Sequence, residues 1–111
     1  MTDQERKYLA DILRAIELIT DFTDDIQDFA QYQTDLKTQS AVERQLGIIG
    51  EAVNQFEKIN NGQPLEHSRK IVGFRNRIIH AYDAIDNSMV WTIIKRYLPP
   101  LLLEIRKILT G

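Results

Sequence analysis

The chain contains no cysteine, which excludes disulfides, zinc-thiolate sites and iron–sulfur clusters. No apolar run approaches the roughly 20 residues that a membrane-spanning helix needs, and no membrane association is expected. The segment from Met1 to Lys7 lacks the apolar stretch of a signal peptide, so the expected location is the cytoplasm. His67 and His80 stand thirteen residues apart with no ligand-like spacing to Asp or Glu; no metal and no cofactor is expected. Strand-like alternation, internal repeats and low-complexity tracts are missing too.

What is present suits one globular domain covering residues 1–111. A core of this size buries about two-thirds of the surface that the unfolded chain exposes. The net charge of −2 gives no argument for nucleic acid, but its distribution does. Residues 1–35 carry nine acids and three bases, a balance of −6; residues 36–111 carry seven acids and eleven bases, or +4. Between His67 and Tyr82 lie Arg69, Lys70, Arg75 and Arg77 with no acid among them. Such a stretch either attracts an anionic ligand locally or forms a solvated helix face.

Helical periodicity runs from end to end. Thr2 and Glu5 fit a capping box, and Leu9, Ile12, Leu13, Ile16 and Ile19 follow at helical spacing. A shorter acidic helix is predicted from Asp21 to about Tyr32, facing inward through Phe22, Ile26 and Phe29, with a polar connection from Thr34 to Thr38. Val42, Leu46, Ile49, Val53 and Phe56 step by 4, 3, 4 and 3, a heptad seam. Gly47 and Gly50 inside it cost roughly 1 kcal/mol each against alanine, which close approach of another helix would offset. A loop from Asn60 to Pro64 precedes a helix over about Ser68–Tyr82, and Asn87 or Ser88 caps the last segment. Pro99 and Pro100 interrupt that segment, and Leu101, Leu102, Ile105, Ile108 and Leu109 resume its apolar stripe. Tyr8, Trp91 and Tyr97 read as core or interface rather than as base-stacking platforms. The fold class is all-α: an up-and-down bundle of four to five helices with a proline-interrupted C-terminal helix.

Residues 68–83 separate sharply on an ideal helix of about 100° per residue. With Ile71 at zero, Phe74, Ile78 and Ala81 share its core-facing arc, whereas Asn76, Gly73 and His80 fall at about 140°, 200° and 180°. His80 is therefore not a core histidine. Gly73, about two turns before it, leaves bare backbone that admits either a ligand or a closely packed helix. Arg75 and Tyr82 lie at the edge of the apolar arc. An arginine there needs a carboxylate, for which Glu51 and Glu43 are candidates, or a second protein surface. Arg75 and His80 are separated by about 140° on the ideal helix, so they meet only if the helix loosens near its end or across a dimer axis.

The run from Arg75 through Asn76 and His80 to Tyr82 resembles the signature of the HEPN superfamily. Ile48, Ile49, Gly50, Glu51 and Ala52, with Val90–Trp91 and Leu98–Pro99, are similar to blocks of its HepT-like branch. That branch comprises toxins paired with a minimal nucleotidyltransferase antitoxin. The resemblance spans the first helix to Leu109. It implies a HEPN-like bundle that forms a homodimer with the motifs of both copies in one cleft, acting as a metal-independent endoribonuclease. By motif match, Arg75 and His80 are its catalytic pair, Asn76 shapes the site, and Tyr82 is the tyrosine that the nucleotidyltransferase modifies with AMP. Gly73 joins the site-shaping residues, and Arg69, Lys70 and Arg77 are candidate contacts to RNA phosphates. One departure is the replacement of the usual Pro–Trp pair before the motif helix by Leu65, Glu66 and His67.

The chemistry is self-consistent, because RNA carries its own nucleophile in the 2′-hydroxyl. A histidine titrating near neutrality moves the proton, and an arginine fork meets the extra charge of the phosphorane. Two rivals stand beside this reading: a non-catalytic HEPN subunit that binds a nucleotidyltransferase or nucleotide, and a helical oligomerisation protein with no ligand.

Overall fold

A computed structural model of the chain describes residues 1–60, 64–81 and 85–111, with the side chains of all of these except 77–81. Helix α1 spans Asp3–Phe22 and begins where the sequence places its cap. The Thr2 hydroxyl accepts from the Glu5 amide at 3.1 Å, and the Glu5 carboxylate accepts from the Thr2 amide at 3.0 Å. Leu9, Ile12, Ala15, Ile16 and Ile19 form its buried stripe.

The acidic second helix differs from the predicted one. α1 continues through Asp21 to Phe22, a turn follows over residues 23–25, and α2 occupies only Phe29–Thr34. Asp24 and Asp25 would meet the negative end of α1 if the helix were prolonged, which favours stopping there. Asp28 then starts α2 by accepting from the Gln31 amide at 3.0 Å. Ile26 is buried as expected, but Phe22 and Phe29 are only half-buried, and the inward anchor is Tyr32. Tyr32 lies against Trp91, ring centroids 5.5 Å apart, so Trp91 is a packing residue. The expected polar connection shrinks to Asp35. Its carboxylate accepts from the amide and hydroxyl of Thr38, at 3.0 and 2.7 Å, and starts α3 at Leu36.

Helix α3, Leu36–Ile59, is the central element and packs on both α1 and α4. Its heptad seam of Val42, Leu46, Ile49, Val53 and Phe56 is buried throughout. Fully burying a side chain of this size stabilises the fold by roughly 1.5–3 kcal/mol. α4 spans Arg69–Ala81, with Ile71 and Phe74 buried against α3. It begins after Ser68, whose carbonyl accepts from the amides of Ile71 and Val72.

Helix α5, Asn87–Thr92, is capped by Asp86 rather than by Asn87 or Ser88: the Asp86 carboxylate accepts from the Ser88 amide at 2.9 Å. Residues Ile93–Tyr97 form a π-helical turn that leads into α6, Leu98–Thr110. Pro99 and Pro100 occupy its first turn and interrupt the α pattern without breaking the rod. Neither proline has an N–H to offer the carbonyls of residues 95 and 96, and the widened turn accommodates their rings. The Leu98 amide reaches back five residues to the Ile93 carbonyl.

Counting α5, the π turn and α6 as one interrupted helix, the molecule is the expected all-α bundle, and no strand occurs among the described residues. No helix among them is long and apolar enough to cross a membrane.

Candidate active site on the motif helix

Two acidic side chains from other helices fix where α4 begins. Glu57 of α3 accepts from the Leu65 amide at 2.8 Å. Glu104 of α6 accepts from the amides of Glu66 and His67 at 2.7 and 3.1 Å. Leu65 is buried beneath this clasp. The segment that departs from the family pattern is thus anchored by a core leucine and two carboxylates. Neither carboxylate was found from the sequence, since Glu104 lies 38 and 37 residues from its two partners.

Arg75, six residues into α4, leans across the face of α3. A Cβ built at Gly50 would lie 2.5, 2.8 and 3.1 Å from Cβ, Cγ and Cδ of Arg75, so only glycine admits the arginine stem at this height. Gly50 therefore serves the close approach expected of it. Gly47 does not: a Cβ there would meet nothing within 4 Å.

The Arg75 guanidinium donates through Nη2 to Glu51 Oε2 and through Nη1 to Asn76 Oδ1, the latter at 3.3 Å. Of the two carboxylates considered from the sequence, Glu51 is the partner. Glu43 is half-buried elsewhere on α3, and burial pushes its carboxyl above the usual range. Glu51 Oε1 accepts from Gln55 Nε2 at 2.9 Å. That hydrogen bond and then the charge of Arg75 hold the Glu51 carboxyl below its ordinary range. Gln55, Glu51, Arg75 and Asn76 form one polar chain from α3 to α4.

Asn76 and Gly73 are exposed, as the helical wheel requires. A Cβ at Gly73 would meet nothing within 4 Å among the described atoms, so tight helix packing does not explain that glycine. Arg69 and Lys70 are exposed near the start of α4. The backbone of His80 belongs to α4, which stays α-helical through Ala81 and does not loosen between Arg75 and His80. The side chains of Arg77 and His80, and all of Tyr82, lie outside the described residues. Among the described residues no group of three His, Asp or Glu side chains is arranged to hold a metal ion.

A helical bundle whose basic helix α4 carries Arg75 and His80 of the sequence run Arg-x4-His-x-Tyr, with that arginine packed through a glycine notch, defines a class of protein. The family comparison is specific within that class. Residues 12–108 match the family described as ribonuclease HepT-like. The chain is 39% identical over 105 residues to the protein named "Probable ribonuclease HepT" of Thermococcus cleftensis, covering 91% of this chain and 92% of that one. It is 36% identical over 105 residues to "Putative RNase MJ0127" of Methanocaldococcus jannaschii, covering 94% and 86%. A third relative, "Putative RNase TTE0752" of Caldanaerobacter subterraneus, is 31% identical over 108 residues, covering 94% and 93%. No solved structure matches the chain significantly. The chain belongs to the HepT-like ribonuclease family.

Proposed function

We propose that this chain is a metal-independent endoribonuclease, the toxin of a toxin–antitoxin pair, in which Arg75 and His80 cleave RNA through its 2′-hydroxyl. The observation that carries the reading is the placement of Arg75: a half-buried guanidinium held at the edge of a basic helix, in a chain whose relatives are named as ribonucleases. His80 removes the 2′-hydroxyl proton. O2′ attacks phosphorus, the P–O5′ bond breaks, and the departing O5′ takes up a proton. The products are a 2′,3′-cyclic phosphate and a 5′-hydroxyl. Arg75 stabilises the extra negative charge of the phosphorane, while Asn76 and the bare backbone at Gly73 shape the site. Arg69, Lys70 and Arg77 hold flanking phosphates. Proton transfer by a placed histidine accounts for about 10²- to 10⁴-fold in rate.

In this reading the active form is a homodimer, since Arg75 and His80 lie far apart around one helix and two copies of α4 bring the groups together across a two-fold axis. A cognate minimal nucleotidyltransferase silences the enzyme by moving AMP onto Tyr82. The added phosphate then faces Arg75 and the adenosine obstructs the cleft.

Incubation with total RNA in EDTA, beside His80→Ala, tests the activity. Cleavage by the parent alone with 2′,3′-cyclic ends is the expected result. No cleavage by a folded, dimeric parent free of AMP would refute it. One observation favours a second reading, the non-catalytic HEPN subunit that binds a nucleotidyltransferase or nucleotide: Arg75 is already engaged by Glu51, as a purely structural pair would be. Toxicity in cells that survives His80→Ala would support that alternative.

A further inference from the structure

The Arg75 side chain is constrained along its whole length. Its stem sits in the notch at Gly50, one nitrogen of its fork is on Glu51, and the other is on Asn76. Glu51 is itself tied to Gln55, one helical turn further along α3. Of the five N–H groups of a guanidinium, these two bonds use two, and no hydrogen bond to the other three is found among the described residues.

We infer that Glu51 is a positioning residue for this site: its carboxylate, anchored by Gln55, fixes the plane of the Arg75 guanidinium so that the remaining N–H groups meet the scissile phosphate. The inference rests on the proposed role of Arg75. A free arginine fork samples many rotamers, and ordering it only when RNA arrives would cost entropy at the reacting step. The pair orders it beforehand. The side chain of Glu51 is 49% exposed and that of Arg75 23%, so water screens the carboxylate more than the guanidinium. Glu51 therefore orients Arg75 without cancelling its field at the phosphate. Asn76, adjacent to Arg75 and exposed, closes the other side of the fork.

The test compares the parent with Arg75→Ala, Glu51→Ala and Glu51→Gln in steady-state RNA cleavage, with ¹⁵N spectra of the Arg75 guanidinium recorded on the same samples. Glu51 is exposed, and both of its replacements are expected to fold. Arg75→Ala should be inactive. Glu51→Ala should lower kcat roughly 10- to 100-fold, the scale of a misplaced catalytic group, with KM within about twofold of the parent. Glu51→Gln keeps an oxygen acceptor and should recover most of kcat. The Arg75 Nη protons should be resolved in the parent and in Glu51→Gln, and averaged by rotation in Glu51→Ala. Glu51→Ala turning over at the parental rate while Arg75→Ala is dead would overturn the inference alone. So would a lowered KM with unchanged kcat, which would make Glu51 a competitor of the phosphate. A parent that does not cut RNA, or an Arg75→Ala variant that cuts normally, would remove the proposed function and this inference together.

Discussion

Gly50 and Arg75 are complementary: the arginine stem occupies the space where any other residue at position 50 would place its Cβ, 2.5 Å from Cβ of Arg75. One missing methyl group on α3 thereby sets how closely α4 approaches and where the guanidinium of Arg75 comes to lie. Gly47, about one turn earlier, has open space where its Cβ would lie.

The two glycines should consequently respond in opposite ways to alanine. Gly47→Ala gains helix propensity with no clash and should stabilise the fold by about 0.5–1 kcal/mol. Gly50→Ala gains the same propensity but overpacks against Arg75, at a cost of typically 1–3 kcal/mol. The net result should be lower stability and a displaced arginine, with loss of RNA cleavage. Urea titrations of both variants, read beside the activity assay, make the comparison; a Gly50→Ala variant as stable and active as Gly47→Ala would contradict the packing described.

Glu104 should matter more than its surface position suggests. Removing its carboxylate frees the amides of Glu66 and His67, which it holds at 2.7 and 3.1 Å. Glu104→Ala should cost about 1 kcal/mol, the scale of one net hydrogen bond. It should also speed hydrogen exchange at those two amides relative to the middle of α3. Unchanged exchange there would show that the clasp does not hold the entry to α4.

The half-buried Glu43 supplies a pH dependence whose sign can be worked out. Burial raises its carboxyl pKa in the folded chain above the unfolded value, so the fold binds this proton more tightly than the unfolded chain does. Its contribution is fully present below the unfolded value of about 4.3 and is lost as pH rises through the folded one. Glu43→Gln cannot lose a proton. It should gain stability over the parent at pH 7 relative to the same comparison at about pH 4. Denaturant midpoints at the two pH values measure this, and an equal difference at both would count against the burial effect.

Tyr82→Phe tests the proposed silencing by AMP transfer. Incubated with the cognate nucleotidyltransferase and labelled ATP, the parent should take up AMP and lose RNA cleavage. The phenylalanine variant should take up none and stay active, since only the phenol oxygen is replaced. Labelling of the variant at the parental level would place the modification on another residue.

Much of this architecture was legible from residue order, for local reasons. The capping box at Thr2 and Glu5, the heptad seam of α3 and the described part of the α4 core face, Ile71 and Phe74, depend on neighbours within one or two turns and stand where the pattern put them; the side chains of Ile78 and Ala81 lie outside the described residues. The acidic helix was misjudged because three carboxylates compete there. Asp24 and Asp25 sit at the end of α1, and Asp28 caps α2; which acid ends a helix and which begins one depends on packing around Tyr32. The proline pair was read as an interruption, and its form is a π turn before the rings, which accommodates two residues without an N–H.

For the candidate site, the division falls between residue types and their partners. The sequence by itself determined the helices other than the acidic second one, the segregation of Asn76 and Gly73 from Ile71 and Phe74, and the family, because each depends on spacing along the chain. Only the tertiary structure decided between Glu51 and Glu43 as the partner of Arg75, assigned close contact to Gly50 and not to Gly47, and brought Glu104 to the start of α4. Those choices depend on how far α4 is turned and raised against α3 and α6. That relation comes from side chains packing across helices distant in sequence, and it selects between Glu43 and Glu51, which stand eight residues, about 12 Å, apart along α3.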